Sequence, residues 1–150
     1  MLRAIVVFVL VLALTVVIGS TAHSLFIMHA WTMAAVQATG APPVAPSVAD
    51  HISWIAHDIV GMGPTYAALV GIALAIAFVV AGFFARVTGL RPIVFAVAGA
   101  VAIFVLFSVM KFTLGTVGVF GARGMEGMIA QAAVGALGGL LFAIFKPAAQ

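Results

Sequence analysis

The sequence contains no cysteine, which excludes disulfides, thiolate metal sites, iron–sulfur ligation, c-type haem attachment and cysteine nucleophiles together. Charge is nearly as scarce: charged residues make up 6% of the 150 positions, against about a quarter in an ordinary soluble domain. The acids are Asp50, Asp58 and Glu126, and the bases are Arg3, Arg86, Arg91, Lys111, Arg123 and Lys146. A pI near 10.3 therefore rests on few groups. No basic cluster and no aromatic platform between bases is present, so nucleic acid is not an expected partner. Hydrophobic residues make up 66% of the chain and the mean hydropathy is +1.39. The composition is that of a membrane protein, with the lipid bilayer as its first partner.

A helix needs about 20 mainly apolar residues to cross a hydrocarbon core of about 30 Å, and four stretches qualify: 4–21, 64–85, 92–112 and 125–145. Pro64 and Pro92 open the second and third, since proline lacks only an amide hydrogen that the first turn leaves unpaired. The fold predicted is all-α: a single membrane domain over 1–150 with four transmembrane helices and an extracytoplasmic amphipathic helix in the outer segment, 22–63. Basic residues favour the cytoplasmic side. Four crossings put Arg3, Arg86, Arg91 and Lys146 on one side and Lys111 and Arg123 on the other, which predicts cytoplasmic termini and places all three acids outside. Arg3, the apolar run and the small residues Ser20–Ala22 also fit a signal peptide. An uncleaved anchor is the expectation, because removing the first helix would leave three spans and break the charge pattern.

No charged side chain falls deep within these spans, which disfavours proton-coupled transport. The interior polar residues are Thr15, Ser108 and Gln131. Lipid supplies no hydrophobic drive for helix association, so small residues must let backbones approach. Such residues repeat every fourth position at Ala67, Gly71 and Ala75, at Ala96 and Ala100, and at Gly135, Gly139 and Ala143. Packing within the bundle is the expected use, with self-association as the alternative. Gln131 lies one turn before Gly135 and is expected to face protein. Between the last two spans, "GTVGVFGARGMEG" spaces glycines at 115, 118, 121, 124 and 127. A tight interfacial turn accounts for them, with Gly118 and Gly121 as candidate partner or packing contacts, and a re-entrant segment exposing backbone carbonyls to an ion or water path is the sharper alternative.

The outer segment holds all four histidines, both tryptophans and both aspartates. Pro42, Pro43 and Pro46 break any helix there. The stretch before them, "HSLFIMHAWTMAAVQ", reads as helical and as an outward continuation of the first span, with Gly19 and Ser20 as a candidate bend. In "DHISWIAHDIVG", residues 50–61, a turn of about 100° per residue gathers Ile52, Ile55, Ala56 and Ile59 on one side and Asp50, His51, Ser53, His57 and Asp58 on the other. Ser47 or Asp50 is a candidate N-cap and Gly61 marks the end. Trp31 and Trp54 suit the membrane interface, although Trp54 projects from the polar side and so suggests a contact with the preceding segment or another subunit. His51 and His57, six positions apart, point about 120° away from each other. Asp50 with His57, or His51 with Asp58, completed by His23 or His29, are better candidate sets for Zn or Cu(II), although wetted surface histidines explain the same residues. No axial histidine pair for haem b is available within the spans. Asp50, Ser53 and His57 on one helix face do not make a catalytic relay, which needs defined reach and an oxyanion site. No catalytic or cofactor-binding residue is assigned.

The ending "GARGMEGMIAQAAVGALGGLLFAIF", residues 121–145, resembles the last helix of small four-span bacterial inner-membrane proteins that are themselves uncharacterised. The resemblance implies a bacterial inner-membrane setting and carries no catalytic residue. The paired glutamates of diiron proteins, the acid and arginine set of glutathione-handling membrane enzymes and the asparagine of fluoride channels are not found. The leading expectation is a non-enzymatic structural or accessory membrane subunit that contacts itself or another membrane protein through Trp54, the glycine loop and the Gly71, Gln131, Gly135 and Gly139 faces. A small oligomeric channel or permease and an outer-face metal or cofactor protein are the alternatives.

Overall fold

Two prolines and three left-handed glycines punctuate the chain. The structure, a computed structural model, describes residues 2–40, 42–115 and 124–146. Over these it contains five helices and no strand: α1 Leu2–Thr39, α2 Val48–Gly61, α3 Gly63–Thr88, α4 Arg91–Leu114 and α5 Met125–Phe145. Gly40, Gly89 and Gly115, with φ of 65°, 70° and 70°, follow α1, α3 and α4, supplying the backbone conformation that a side chain disfavours. The helices α1, α3, α4 and α5 are long and apolar enough to cross a membrane.

The first helix is longer than the predicted span over 4–21. It runs unbroken through Gly19 and Ser20 to Thr39, 38 residues or about 57 Å, nearly twice the hydrocarbon thickness. Residues 22–39 of the predicted outer segment are therefore helix continuous with the span. Its length is matched on the other side of an antiparallel hairpin by α2 and α3 together. Met62 closes α2 and opens α3, because Pro64 has no N–H to give the carbonyl one turn back and its ring crowds that carbonyl. The Met62 N–H still bonds Asp58 O at 2.8 Å and the Tyr66 N–H bonds Met62 O at 2.9 Å, so the break is one residue wide.

Ser47 starts α2 with a capping box: its hydroxyl accepts the Asp50 N–H at 3.2 Å and Asp50 Oδ2 accepts the Ser47 N–H at 2.9 Å. The face that α2 packs inward differs from the predicted apolar face. Ile55, Asp58 and Ile59 are half-buried, whereas Ile52 and Ala56 are exposed. The helix is turned so that Asp58 reaches α1, where a hydroxyl waits for its carboxylate.

Below this level four helices pack in a ring, α1 against α3 and α5, and α4 against α3 and α5. The α4–α5 contact is the closest, and Gly135 and Gly139 make it, as predicted for packing within the bundle. Gly135 faces Gly99 of α4, and Gly139 faces the backbone of Phe95 and Ala96. A Cβ on Gly99 would fall on the Gly135 carbonyl, one on Gly135 on the Gly99 carbonyl, and one on Gly139 on the Phe95 carbonyl. Gly71 approaches α1, where its missing Cβ would stand 3.0 Å from Leu12. At the end carrying the chain terminus of α1, Phe78 and Phe142 stack with centroids 4.7 Å apart, and Phe8 meets both edge-on at 6.1 and 6.2 Å.

Candidate functional site

The inner face of α1 changes character along its length. Val11 and Val16 belong to the apolar core, but Thr15, Gly19, Ser20, His23 and Ser24 are also buried on this helix. Thr15 Oγ1 returns its proton to Val11 O at 2.8 Å and occupies the space left by Gly138 of α5, whose added Cβ would stand 2.5 Å from that oxygen.

One turn further along α1, three helices meet in a polar node. The Tyr66 hydroxyl of α3 donates to Gln131 Oε1 of α5 at 2.6 Å, and Gln131 Nε2 donates to Gly19 O of α1 at 2.9 Å. Gln131 is 1% exposed, so both ends of its amide are spent inside the protein. Gly19 contributes its carbonyl and also its lack of a side chain, because a Cβ there would overlap the Tyr66 hydroxyl and lie 2.9 Å from Tyr66 Cε1. Phe107 of α4 stacks on the Tyr66 ring at 6.4 Å, which brings the fourth helix to the same level.

Above the node α2 is latched to α1. Ser24 Oγ lies 2.7 Å from Asp58 Oδ2 and 3.0 Å from Ser20 O, so its single proton is directed between two acceptors. His23 is 5% exposed and lies within the electrostatic reach of Asp58. Ser20 Oγ is fully buried without a hydrogen-bond partner among the described residues.

The sequence-predicted metal ligands are distributed differently from the expected sets. Asp50 is held by the Ser47 cap, and hydrogen bonds from Ser47 keep its carboxyl below the usual aspartate range. His51 Nδ1 lies 2.9 Å from Ser47 O. His29 and His57 are exposed, and of the expected sets none forms: His23 lies near Asp58 and Asp50 near His51. Among the described residues no three His, Asp or Glu side chains are grouped closely enough to hold a metal ion. Gly118 and Gly121 lie outside the described residues, Gly115 ends α4 and Gly127 is buried inside α5. Trp54 is exposed on α2.

Tyr66, Ser24 and Gly99 carry no motif or spacing signal, and Gly19 reads from the sequence only as a candidate bend. A single tyrosine inside an apolar helix is itself a signal, because a buried phenol requires a hydrogen-bond partner, and Gln131 is among the few side chains in the spans able to accept. Comparison with protein-family models, with curated proteins and with solved structures finds no match. The class is defined by the fold alone: an all-helical chain, over its described residues, with four helices long and apolar enough to cross a membrane.

Proposed function

We propose that the protein is a non-enzymatic, accessory or structural subunit of the bacterial inner membrane, and that the arm formed by the outer part of α1 with α2 docks onto another membrane protein. The observation that carries this is the outward face of the arm. From the level of the Gln131–Gly19 contact, α1 extends roughly 20 Å beyond the start of α5, with α2 alongside. The outward side chains there include Trp31 at 67% and Ile52 at 63% exposure, with Val48, Trp54 and Val60 also exposed. The two acids of the arm are turned to local duties, Asp50 to the cap and Asp58 to Ser24. Large exposed apolar patches mark contact surfaces, and tryptophan is favoured as an interface anchor.

The arm is extracytoplasmic and both termini are cytoplasmic in this proposal. Support comes from the bases: Arg86 and Arg91 lie near Lys146 at the end of the bundle opposite the arm, where Ala4 and Ile5 of α1 also lie, and such clustering favours the cytoplasmic side. Because the chain has no cysteine, single cysteines placed at the exposed positions Gln37 and Thr88 test the layout. A membrane-impermeant maleimide applied to intact cells should label Gln37→Cys and spare Thr88→Cys, and the reverse pattern overturns it.

Docking is tested by a photoreactive amino acid at Trp31 or Trp54 in native membranes. A crosslinked protein of defined mass, lost when the photoreactive group is moved to the lipid-facing Val79, is the expected result. Crosslinks to lipid alone at both arm positions would overturn docking and leave an interfacial helix pair.

A further inference from the structure

The end of the bundle away from the arm carries a feature on which the docking proposal does not depend. A groove of about 490 Å³ lies between α1 and α3 over α5. Phe8, Phe78, Phe142 and Gly82 form its apolar walls, and Arg86 and Lys146 are its charged members. Lys146 Nζ is held over the rings of Phe142 and Phe95, 5.3 and 5.9 Å from their centroids, so the ammonium sits at the edge of the groove floor. A larger groove of about 820 Å³ between α3 and α4 has no charged residue in its lining and is an ordinary apolar flank by comparison.

Among the described residues no acidic side chain lies at this end. The chain has three acids; Asp50 and Asp58 lie on α2 and Glu126 in the first turn of α5, all toward the other end. Burial, and then repulsion from Arg91 and Arg86, hold the Lys146 ammonium below the usual lysine range. An anion placed between Arg86 and Lys146 would relieve that repulsion, and an apolar chain attached to it would have a groove to follow. Basic pockets between membrane helices on the cytoplasmic side recognise phospholipid head groups in this way.

We infer that the α1–α3 groove is a binding site for an anionic phospholipid, with its phosphate on Arg86 and Lys146 and one acyl chain laid along Phe8, Phe78 and Gly82. The two cations supply the preference for negative charge. The groove supplies the requirement for a lipid in place of a free phosphate ion.

The test is native mass spectrometry of the delipidated 150-residue chain in detergent, titrated with phosphatidylglycerol, with phosphatidylcholine of the same acyl chains, and with inorganic phosphate. Two cations near the surface favour the anionic lipid by roughly 30-fold. The double variant Arg86→Gln/Lys146→Gln should bring the two lipids to parity, whereas Lys111→Gln, at the other end, should preserve the preference. The Cβ direction of Gly82 meets nothing within 4 Å, so Gly82→Leu fills the groove without disturbing the fold and should weaken both lipids. Thermal unfolding midpoints of the lipid-free variants report their folding, and Gly82→Leu decides the matter alone if the double variant does not fold. Equal retention of both lipids by the unsubstituted chain would overturn the inference, as would displacement of phosphatidylglycerol by an equal concentration of inorganic phosphate. A loss of preference in Lys111→Gln matching that of the double variant would reduce it to net charge and overturn it as well.

Discussion

Replacing Gln131 with leucine removes the side chain whose hydrogen bonds join α1, α3 and α5 at the polar node, and the structure sets what that should cost. Gln131 accepts from the Tyr66 hydroxyl at 2.6 Å and donates to Gly19 O at 2.9 Å. The losses are unequal. Gly19 O lies within α1 and keeps its helical donor, so that bond is worth only its net value of about 0.5–1.5 kcal/mol. The Tyr66 hydroxyl is 65 residues away in sequence and, among the described residues, bonds to Gln131 alone. Leaving it buried and unpaired costs about 1–3 kcal/mol. Interhelical hydrogen bonds in membranes average about 0.6 kcal/mol and reach about 1.7 kcal/mol, because the unfolded chain in lipid also finds partners. The expected loss for Gln131→Leu is therefore about 2 kcal/mol, at the upper end of the membrane range. In a Tyr66→Phe background the loss should be smaller, since no hydroxyl is left unpaired. The assay is reversible unfolding in mixed detergent micelles of the wild type, both single variants and the double variant. A Tyr66–Gln131 coupling indistinguishable from zero, with Gln131→Leu as stable as the wild type, would refute the account of the node. Gly19→Ala supplies an independent arm: its Cβ overlaps the Tyr66 hydroxyl, and Tyr66→Phe should restore only part of the loss because Cε1 remains 2.9 Å away.

Gly139→Ala should drive α4 from α5, since its Cβ falls on the Phe95 carbonyl, costing about 1–3 kcal/mol of stability by overpacking, while Gly82→Ala, which meets open space inside α3, should be neutral or stabilise by up to about 1 kcal/mol. Ser24→Ala should loosen α2 from α1 while leaving the four-helix ring intact, read as faster amide exchange confined to residues 48–61. The Asp50 cap predicts a pH dependence: its carboxyl is held below the usual range by Ser47, so its contribution is present above the ordinary aspartate value of about 3.9 and is lost as pH falls through the lower folded-state value. Amides of Val48 to His51 should exchange faster as pH is lowered through that window, after correction for intrinsic exchange, and Asp50→Ala should exchange fast at every pH; protection in the wild type that does not change with pH would refute the cap's role.

The parts of the fold that the sequence makes legible are those written in local chemistry. Pro64 and Pro92 mark helix starts because their missing N–H suits the first turn, Ser47 is one of two cap candidates and the one α2 uses, and Gly135 with Gly139 marks a close face. What escapes the sequence is set by a partner on another helix. Gly19 and Ser20 look like a bend, yet α1 passes straight through them, because Gly19 is small for the sake of Tyr66. Ile52 and Ala56 look like the buried side of α2, yet the helix turns Asp58 inward, because Ser24 stands opposite. Ala96 and Ala100 suggest one face of α4, and Gly99 between them escapes notice, because its position matters only once the carbonyl of Gly135 is known to face it.

The placement of polar groups on α1 also accounts for its register. In lipid, sliding one apolar helix past another exchanges valine for leucine contacts at little cost, since the tails are as apolar as the side chains. Polar groups and close approaches are less forgiving. Gly19 must face the Tyr66 hydroxyl and Ser24 must reach Asp58, five residues further along the same helix. Moving α1 by one turn in one direction would set the His23 ring where the Tyr66 hydroxyl stands and Met28 against Asp58. Moving it one turn in the other would set Ser20 opposite Asp58 but would bring the Thr15 side chain to the place of Gly19, where even a Cβ overlaps the Tyr66 hydroxyl. The polar side chains at the α2 end therefore add a depth marker to the close approaches of Leu12 to Gly71 and Thr15 to Gly138, and the arm's reach beyond the bundle follows from that fixed depth.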